Sequence, residues 1–264
     1  MLCSLVICFS IVSPAKTCFA QEAGVIYIRA DGSIDPLTAS ISTIDSITYT
    51  FTSDIFDNSI VIERDNIVVD GTGFTLQGES AAGSNGIDLT GRTNVTIKNI
   101  VIACARGISL ADSSGNSISG NNITANYGSG VFLEYYSSNN TISENNIENN
   151  TFVGIKIMPN SNDNKICHNN FMNNTINASA SGISNVWDDG SKGNYWSDYS
   201  GIDANHDGIG DTPYIINVNN IDHYPLITQY VIPEFPSFLI LPLFMIATLL
   251  AIEIYKRRIL TRAL

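Results

Sequence analysis

A repeat of 24 residues in the middle of the chain constrains its fold more than any other feature. Residues 116–123 read NSISGNNI, residues 140–147 read NTISENNI and residues 164–171 read NKICHNNF. Looser copies occupy residues 66–74 and 93–102. Self-similarity at a short fixed period is the signature of stacked structural units, so the pattern predicts a solenoid.

Two columns of residues emerge when the repeats are aligned. Each repeat carries short stretches of alternating apolar and polar residues, which are typical of half-buried strands, joined by Gly and Asn residues that tolerate the positive φ of a tight corner. The apolar column contains Val69, Ile97, Ile118, Ile142 and Ile166. The glycine column contains Gly86-Ile87, Gly107-Ile108, Gly130-Val131, Gly154-Ile155 and Gly182-Ile183.

These columns predict an all-β, right-handed parallel β-helix of about 5 to 7 coils over residues 21–186, because stacking coils at about 4.8 Å buries faces that one repeat cannot bury alone. Two Asn columns support the stacking. Their side-chain amides are expected to hydrogen-bond along the helix axis, as in cross-β assemblies, so we assign them a structural role. The columns are Asn116, Asn140 and Asn164, and Asn121, Asn145 and Asn169.

The Asn-x-Ile-x-x-Asn-x-Ile repeats resemble the NosD-type parallel β-helix repeats, a branch of the pectate-lyase-like fold that includes carbohydrate-binding and sugar-hydrolase proteins. The resemblance extends over residues 66–230. Residues 193–199 (GNYWSDY), 201–214 and 222–226 resemble the closing element of such domains in archaeal surface proteins. This resemblance implies a C-terminal cap at residues 187–231.

Both ends of the chain carry export or membrane signals. An apolar run followed by small residues predicts a secretory signal over residues 1–20, although no basic residue precedes it, so retention as an anchor is the alternative. Residues 235–254 are apolar and long enough to form a transmembrane α-helix, against the alternative of a buried core helix. The basic cluster Lys256, Arg257 and Arg258 follows, which places the C-terminus in the cytoplasm and the β-helix outside the cell.

Residues 232–236 (IPEFP), together with the apolar span and basic tail at residues 232–264, resemble the PEF-type sorting tail of archaeal exported proteins. That resemblance implies a membrane sortase as a partner, which would cut the tail and transfer the ectodomain to another anchor.

Within the cap, residues 203–211 have the oxygen ligands at alternate positions and the sixth-position Gly that let a short loop surround a hard cation. Position 12 is Tyr214 rather than Glu, so the loop departs from an EF-hand and we expect modest affinity. The alternative is an Asx-rich turn without metal. The predicted calcium ligands are Asp203, Asn205, Asp207, the backbone carbonyl of Ile209, and Asp211.

The NosD resemblance also implies copper, which prefers clustered His, Cys or Met ligands. Cys167-His168 is the sole adjacent pair of such residues after the signal. Because Ile166 is predicted to face the core, alternation turns Cys167 outward and His168 inward. The sequence therefore does not support a copper site.

Carbohydrate cleavage would need converging carboxylates. Asp188 and Asp189, beside Trp187, are the best candidates, but a turn that closes the solenoid explains them as well. Tyr135 and Tyr136 are either a stacking platform for sugar rings or part of the outer surface.

The net charge of −12, with 13 basic and 25 acidic residues, argues against nucleic acid as a partner. We therefore predict a cell-surface, membrane-anchored protein with a binding or structural role towards carbohydrate or cell-envelope material. A β-helix polysaccharide lyase or glycoside hydrolase is the alternative, and the sequence leaves the question of catalysis open.

Overall fold

The computed structural model describes residues 24–78 and 84–232, and every regular element in these ranges is a strand. The predicted signal, sorting tail and transmembrane segment lie outside them. No described helix has the length and apolar character needed to span a bilayer. The strands are β1 (Gly24–Ile28), β2 (Ile34–Asp35), β3 (Ile41–Ser42), β4 (Thr48–Phe51), β5 (Ile55–Phe56), β6 (Asn58–Ile62), β7 (Val68–Asp70), β8 (Thr75–Gln77), β9 (Asn85–Asp88), β10 (Thr96–Lys98), β11 (Val101–Ala103), β12 (Arg106–Ala111), β13 (Ser117–Ser119), β14 (Asn122–Thr124), β15 (Val131–Glu134), β16 (Thr141–Ser143), β17 (Asn146–Glu148), β18 (Val153–Ile157), β19 (Lys165–Cys167), β20 (Asn170–Met172), β21 (Ile176–Ala180), β22 (Tyr195–Trp196), β23 (Tyr214–Asn217) and β24 (Asn220–Asp222).

The strands form a right-handed parallel β-helix of about six turns, as the repeats predict. Sheet 1 has the order β2-β1-β6-β9-β12-β15-β18-β21. Sheet 2 has the order β19-β16-β13-β10-β7-β4-β3, and sheet 3 has the order β22-β20-β17-β14-β11-β8-β5. Each central coil contributes one short strand to each sheet, so the chain turns three corners per coil.

The register confirms the predicted apolar column. Val69 pairs with Ile97, which pairs with Ile118, and the same line continues through Ile142 and Ile166. All five side chains are fully buried. Stacked aliphatic side chains of this kind supply most of the favourable free energy of burial, because one coil alone would leave them in water.

The glycine column is confirmed for its first four members but is wrong at the fifth. Val131 pairs with Ile155, and Ile155 pairs with Ala178, so Asn177 and not Gly182 follows Gly154 in register. Ile183 is 54% exposed. Asn177 lies 23 residues after Gly154, the same spacing that separates Gly107 from Gly130, so a search for the next glycine passes over the asparagine that takes its place.

Asparagine ladders run along the axis at the corners, as predicted. In the first predicted column, Asn140 Nδ2 donates to Asn164 Oδ1 at 3.1 Å. In the second, Asn145 Nδ2 donates to Asn169 Oδ1 at 3.0 Å. The structure adds a third ladder, which the sequence analysis missed, and a column of serine hydroxyls. Their members are Asn126, Asn150 and Asn174, and Ser113, Ser137 and Ser161.

The chain closes the C-terminal end of the solenoid with aromatic and acidic side chains. The buried Trp196 lies between Phe171 and Tyr214, with ring centroids 4.5 and 4.1 Å away. The backbone of Tyr230 is held at both polar groups, since its N–H donates to Asn170 Oδ1 at 2.7 Å and its carbonyl accepts from Asn170 Nδ2 at 2.9 Å. The closing segment thus returns across sheet 3.

Candidate functional site

Two adjacent tyrosines project from the corner between sheets 1 and 2. Tyr135 and Tyr136 directly follow β15, are 65% and 67% exposed, and have φ values of 47° and 64°. A left-handed backbone is uncommon for a non-glycine residue and costs roughly 1–2 kcal/mol. Neither ring is buried, so packing in the core does not explain why tyrosine occupies these positions.

The same corner is shorter in the preceding coil. Ala111 pairs with Glu134, and the Ser113 N–H donates to Ser137 Oγ, so one residue fills the corner there and two fill it here. The preceding corner uses Asp112, a residue type that tolerates positive φ better than tyrosine does. The chain therefore places an extra residue and an aromatic pair where a smaller polar residue would form the turn.

The outer face of sheet 1 carries a second aromatic group beside this corner. Phe132, three residues before Tyr135, points outward but is only 8% exposed because two cationic side chains cover it. The Arg106 guanidinium carbon lies 4.5 Å from the Phe132 ring centroid, and Lys156 Nζ lies 5.8 Å from it. Lys156 Nζ is also 5.3 Å from the ring centroid of Phe152. The sequence pattern does not reveal this group, because its members come from three coils.

Asp188 and Asp189, the predicted catalytic candidates, each contact a histidine but also close turns. Asp188 Oδ2 is 3.0 Å from His223 Nδ1, and Asp189 Oδ2 is 3.0 Å from His168 Nε2. Asp189 Oδ1 accepts hydrogen bonds from the Ser191 hydroxyl and from two backbone N–H groups. These bonds, the Ser191 hydroxyl foremost, hold the pKa of Asp189 well below its usual value. Asp189 is therefore a poor proton donor and a good turn-forming acceptor.

The loop at residues 203–211 is closed by its own hydrogen bonds. Asp203 Oδ2 accepts from the N–H of Gly208 at 2.9 Å, and Asp207 Oδ1 accepts from the N–H of Ile209 at 2.9 Å. Asp211 Oδ2 accepts from the N–H of Ala204 at 2.8 Å. Asn205 contacts Asp207 within the same loop, and the three aspartates do not converge in an arrangement that would hold a metal ion.

The predicted orientation of His168 is wrong. Its φ is 62°, so it occupies a left-handed corner where strand alternation no longer applies, and its ring stacks on Tyr230 at the surface with centroids 4.7 Å apart. Cys167 is on the outward-facing side of β19, in register with Ser143, but only 3% of it is exposed. Alternation predicts facing only within a strand, and the corner residue follows the turn geometry.

Comparison with known protein families identifies the family of this chain. A family model described as "Periplasmic copper-binding protein (NosD)" matches residues 17–201. The chain belongs to the NosD family. Searches of curated proteins and of solved structures find no match. The periplasmic description of the family agrees with an extracytoplasmic location for this β-helix.

The described residues of this NosD family member do not fit a copper centre. Within residues 24–78 and 84–232, no three His, Cys, Asp or Glu side chains converge in an arrangement that would hold a metal ion. The thiolate is the form of cysteine that binds metal, and burial raises the pKa of Cys104 to about 11 and raises that of Cys167. His168 and His223 each contact a different aspartate.

Proposed function

We propose that this protein is a non-catalytic carbohydrate-binding protein of the cell envelope. The observation that carries the proposal is the Tyr135–Tyr136 pair, which is exposed, strained and inserted at a corner that needs neither ring for folding. The corner itself requires a left-handed backbone, since Asp112 adopts it one coil earlier, but it does not require tyrosine. A residue type that is unfavourable there and is not packed in the core points to a functional role. Exposed tyrosine rings present a flat apolar surface with a polar edge, which suits the faces and hydroxyl groups of sugar rings.

The site lies on rigid elements, which favours binding. Tyr135 follows β15 without an intervening loop, and β15 is hydrogen-bonded to β12 and β18 on either side. A ligand that stacks on these rings would order few groups, so little conformational entropy would be lost on binding.

The test is a glycan array with the full chain, followed by titration of any glycan that binds. We expect Tyr135→Asn and Tyr136→Asn to reduce affinity at least tenfold, because each removes a stacking surface, while Asn keeps the left-handed backbone. The control is Val218→Asn, which changes an 84% exposed apolar residue in the C-terminal hairpin. Unchanged affinity in both tyrosine variants would contradict the proposal.

A polysaccharide lyase or glycoside hydrolase is the second candidate. The two Asp–His contacts at residues 188 and 189 favour it, since an aspartate that orients an imidazole assists a general base. Product analysis of every glycan bound on the array separates the two functions. Release of reducing ends or unsaturated products that stops with Asp188→Asn or Asp189→Asn would establish the enzyme.

A structural calcium ion in the 203–211 loop is part of the proposal. The loop offers only oxygen donors, three of them carboxylates, which is the chemistry that Ca²⁺ prefers. These carboxylates do not converge in the structure, so calcium would have to draw them together, and with Tyr214 at position 12 we expect an affinity on the order of 10⁻⁴ to 10⁻³ M. Calcium is expected to raise the melting temperature of the full chain, and Asp203→Asn with Asp207→Asn to abolish that increase. Asp163→Asn, at an exposed corner outside the loop, is the control.

Membrane anchoring and sortase processing complete the proposal, and both rest on residues 232–264 of the sequence. If the tail is an anchor, the full chain will fractionate with membranes and a chain ending at residue 232 will be secreted. If a sortase cuts it, mass spectrometry of the mature protein will show a C-terminus within residues 232–236.

A further inference from the structure

The outer face of sheet 1 displays two cations, Arg106 and Lys156, that form no ion pair with a carboxylate in the part of the chain that the structure describes. Arg29, Arg92 and Lys98 form ion pairs with carboxylates on other parts of the solenoid. Among the described residues, no carboxylate lies within ion-pair distance of Arg106 or Lys156. Arg64, Lys165 and Lys192 are also outside the ion pairs of the described residues, so what distinguishes Arg106 and Lys156 is that both lie against one aromatic ring.

The two cations are held in place by aromatic side chains and one amide. Arg106 lies over Phe132 and donates through Nη1 to Asn85 Oδ1 at 3.1 Å. Lys156 Nζ lies between the rings of Phe132 and Phe152. Cation–π contacts hold the positive groups without neutralising them, so both charges remain available to an anion.

Two acidic residues lie near these cations on sheet 1. Glu134, two residues after Phe132 on β15, forms no ion pair with Arg106 or Lys156, and Asp88 on β9 is held by other partners. Asp88 is one coil from Arg106, but its Oδ1 accepts from the backbone N–H and hydroxyl of Thr90, and its Oδ2 accepts from Asn85 Nδ2. Asn85 therefore contacts both Asp88 and Arg106 and keeps them in separate hydrogen bonds. The geometry leaves the face of Phe132 covered by positive charge.

We infer that this face, defined by Arg106, Phe132 and Lys156, binds the anionic groups of an acidic polysaccharide whose rings stack on Tyr135 and Tyr136. The inference rests on the proposed carbohydrate-binding function and names its ligand class. Two cations around one ring match carboxylate or sulfate groups on successive sugars. The net charge of −12 repels a polyanion at long range, so such a ligand binds only where a local positive site compensates.

The test compares polysaccharides that differ only in charge. The full chain is titrated with dextran and dextran sulfate, and with polygalacturonate and its methyl ester. We expect the charged polysaccharide of one pair to bind at least tenfold more tightly than its neutral counterpart. Tighter binding of dextran sulfate would identify sulfate as the anion, and tighter binding of polygalacturonate would identify carboxylate. Equal binding of charged and neutral members would overturn the inference and leave carbohydrate binding intact, whereas no binding to any glycan would contradict both.

The variants locate the site. Arg106→Gln and Lys156→Gln are each expected to weaken binding of the charged polysaccharide about tenfold or more, because each removes a charge-assisted hydrogen bond, and to leave binding of a neutral glycan unchanged. Lys165→Gln makes the same change of charge at an exposed residue of sheet 2 and is the control. An equal loss in Lys165→Gln would show a general electrostatic effect and overturn the site. Lys156→Met retains an unbranched stem that can cover both rings, so it tests the charge even if the Gln variants fold poorly.

Discussion

The central coils and the closing segment satisfy their buried polar groups by opposite means. In the coils, each ladder asparagine both accepts from the asparagine before it and donates to the one after it, as Asn145 does between Asn121 and Asn169. In the closing segment the ladder ends on a carboxylate. Asn194 donates to Asp222 Oδ2 through its backbone N–H at 2.8 Å, and Trp196 Nε1 donates to the same oxygen at 2.9 Å.

This difference shows that a repeat cannot supply the hydrogen-bond acceptor that its own last coil needs. Each amide of a ladder needs an acceptor in the next coil, so at the last coil the acceptor must come from outside the repeat. Asp222 supplies it for this ladder, and Asn220 supplies it for Asn185 at the end of the first ladder. A carboxylate only accepts, so Asp222 can end the chain of donors. Burial of this acceptor has a cost, since desolvation raises the pKa of Asp222 to about 6.

The largest effect is expected from breaking a central ladder. Asn145→Ala removes the acceptor for Asn121 and the donor to Ile118, Ser143 and Asn169, and it leaves several buried groups unpaired. We expect the free energy of unfolding to fall by about 3–5 kcal/mol. Denaturant unfolding measures it, with the exposed Asn219→Ala as control. A loss similar to that of the control would mean that the ladder contributes little.

The next largest effect is the pH dependence of stability that arises from the Asp222 carboxylate. Because the pKa of Asp222 is raised in the folded state, the folded protein binds a proton that the unfolded chain releases between about pH 4 and pH 6. Its contribution to stability is therefore present below pH 4 and is lost as the pH rises through 6. The stability of the wild type relative to Asp222→Asn is expected to fall by about 3 kcal/mol between pH 3.5 and pH 7. A difference that does not change with pH would contradict a buried, desolvated carboxylate.

A pair of glycine substitutions compares the two regions directly. A Cβ on Gly193 would collide with the Asp222 carboxylate, which several hydrogen bonds hold in place. A Cβ on Gly154 would lie 2.6 Å from the carbonyl oxygen of Asn177. We expect Gly154→Ala to cost about 1–3 kcal/mol and Gly193→Ala to cost more, as measured by chemical denaturation. The reverse order would show that the cap adapts more easily than the coils.

The smallest expected effect is an increase in the free energy of unfolding. Tyr136→Asn relieves a left-handed tyrosine at an exposed position, so the free energy of unfolding should rise by about 0.5–1 kcal/mol. Tyr127→Asn, at a residue of similar exposure without positive φ, should show no such gain. If Tyr136→Asn instead destabilises the fold, the ring has a structural role and the argument for a binding platform fails.

Much of the fold is predictable because the same residue pattern recurs in every coil. The apolar column and two Asn ladders follow from spacing alone, since a position that recurs every 24 residues has the same environment in every coil. The prediction is wrong at Gly182, because an asparagine takes the glycine position in that coil, and at His168, because the chain turns a corner there. The candidate site is only partly predictable. The sequence indicates Tyr135 and Tyr136 as a candidate aromatic platform, but neither their left-handed backbone nor their place beside Phe132 can be read from the spacing.

By itself, the sequence determined the architecture, because stacked strands need only a periodic pattern of apolar, glycine and asparagine residues. The tertiary structure alone decided what lies side by side on the outer surface. Arg106, Phe132 and Lys156 are separated by more than 20 residues each and meet only because successive coils stack in register. The partner of Asn194 was equally hidden, since Asp222 reaches it from a segment outside the repeat. A periodic sequence specifies the contacts that recur in every coil. The surface site and the C-terminal cap depend on contacts that occur only once, and only the folded chain brings those residues together.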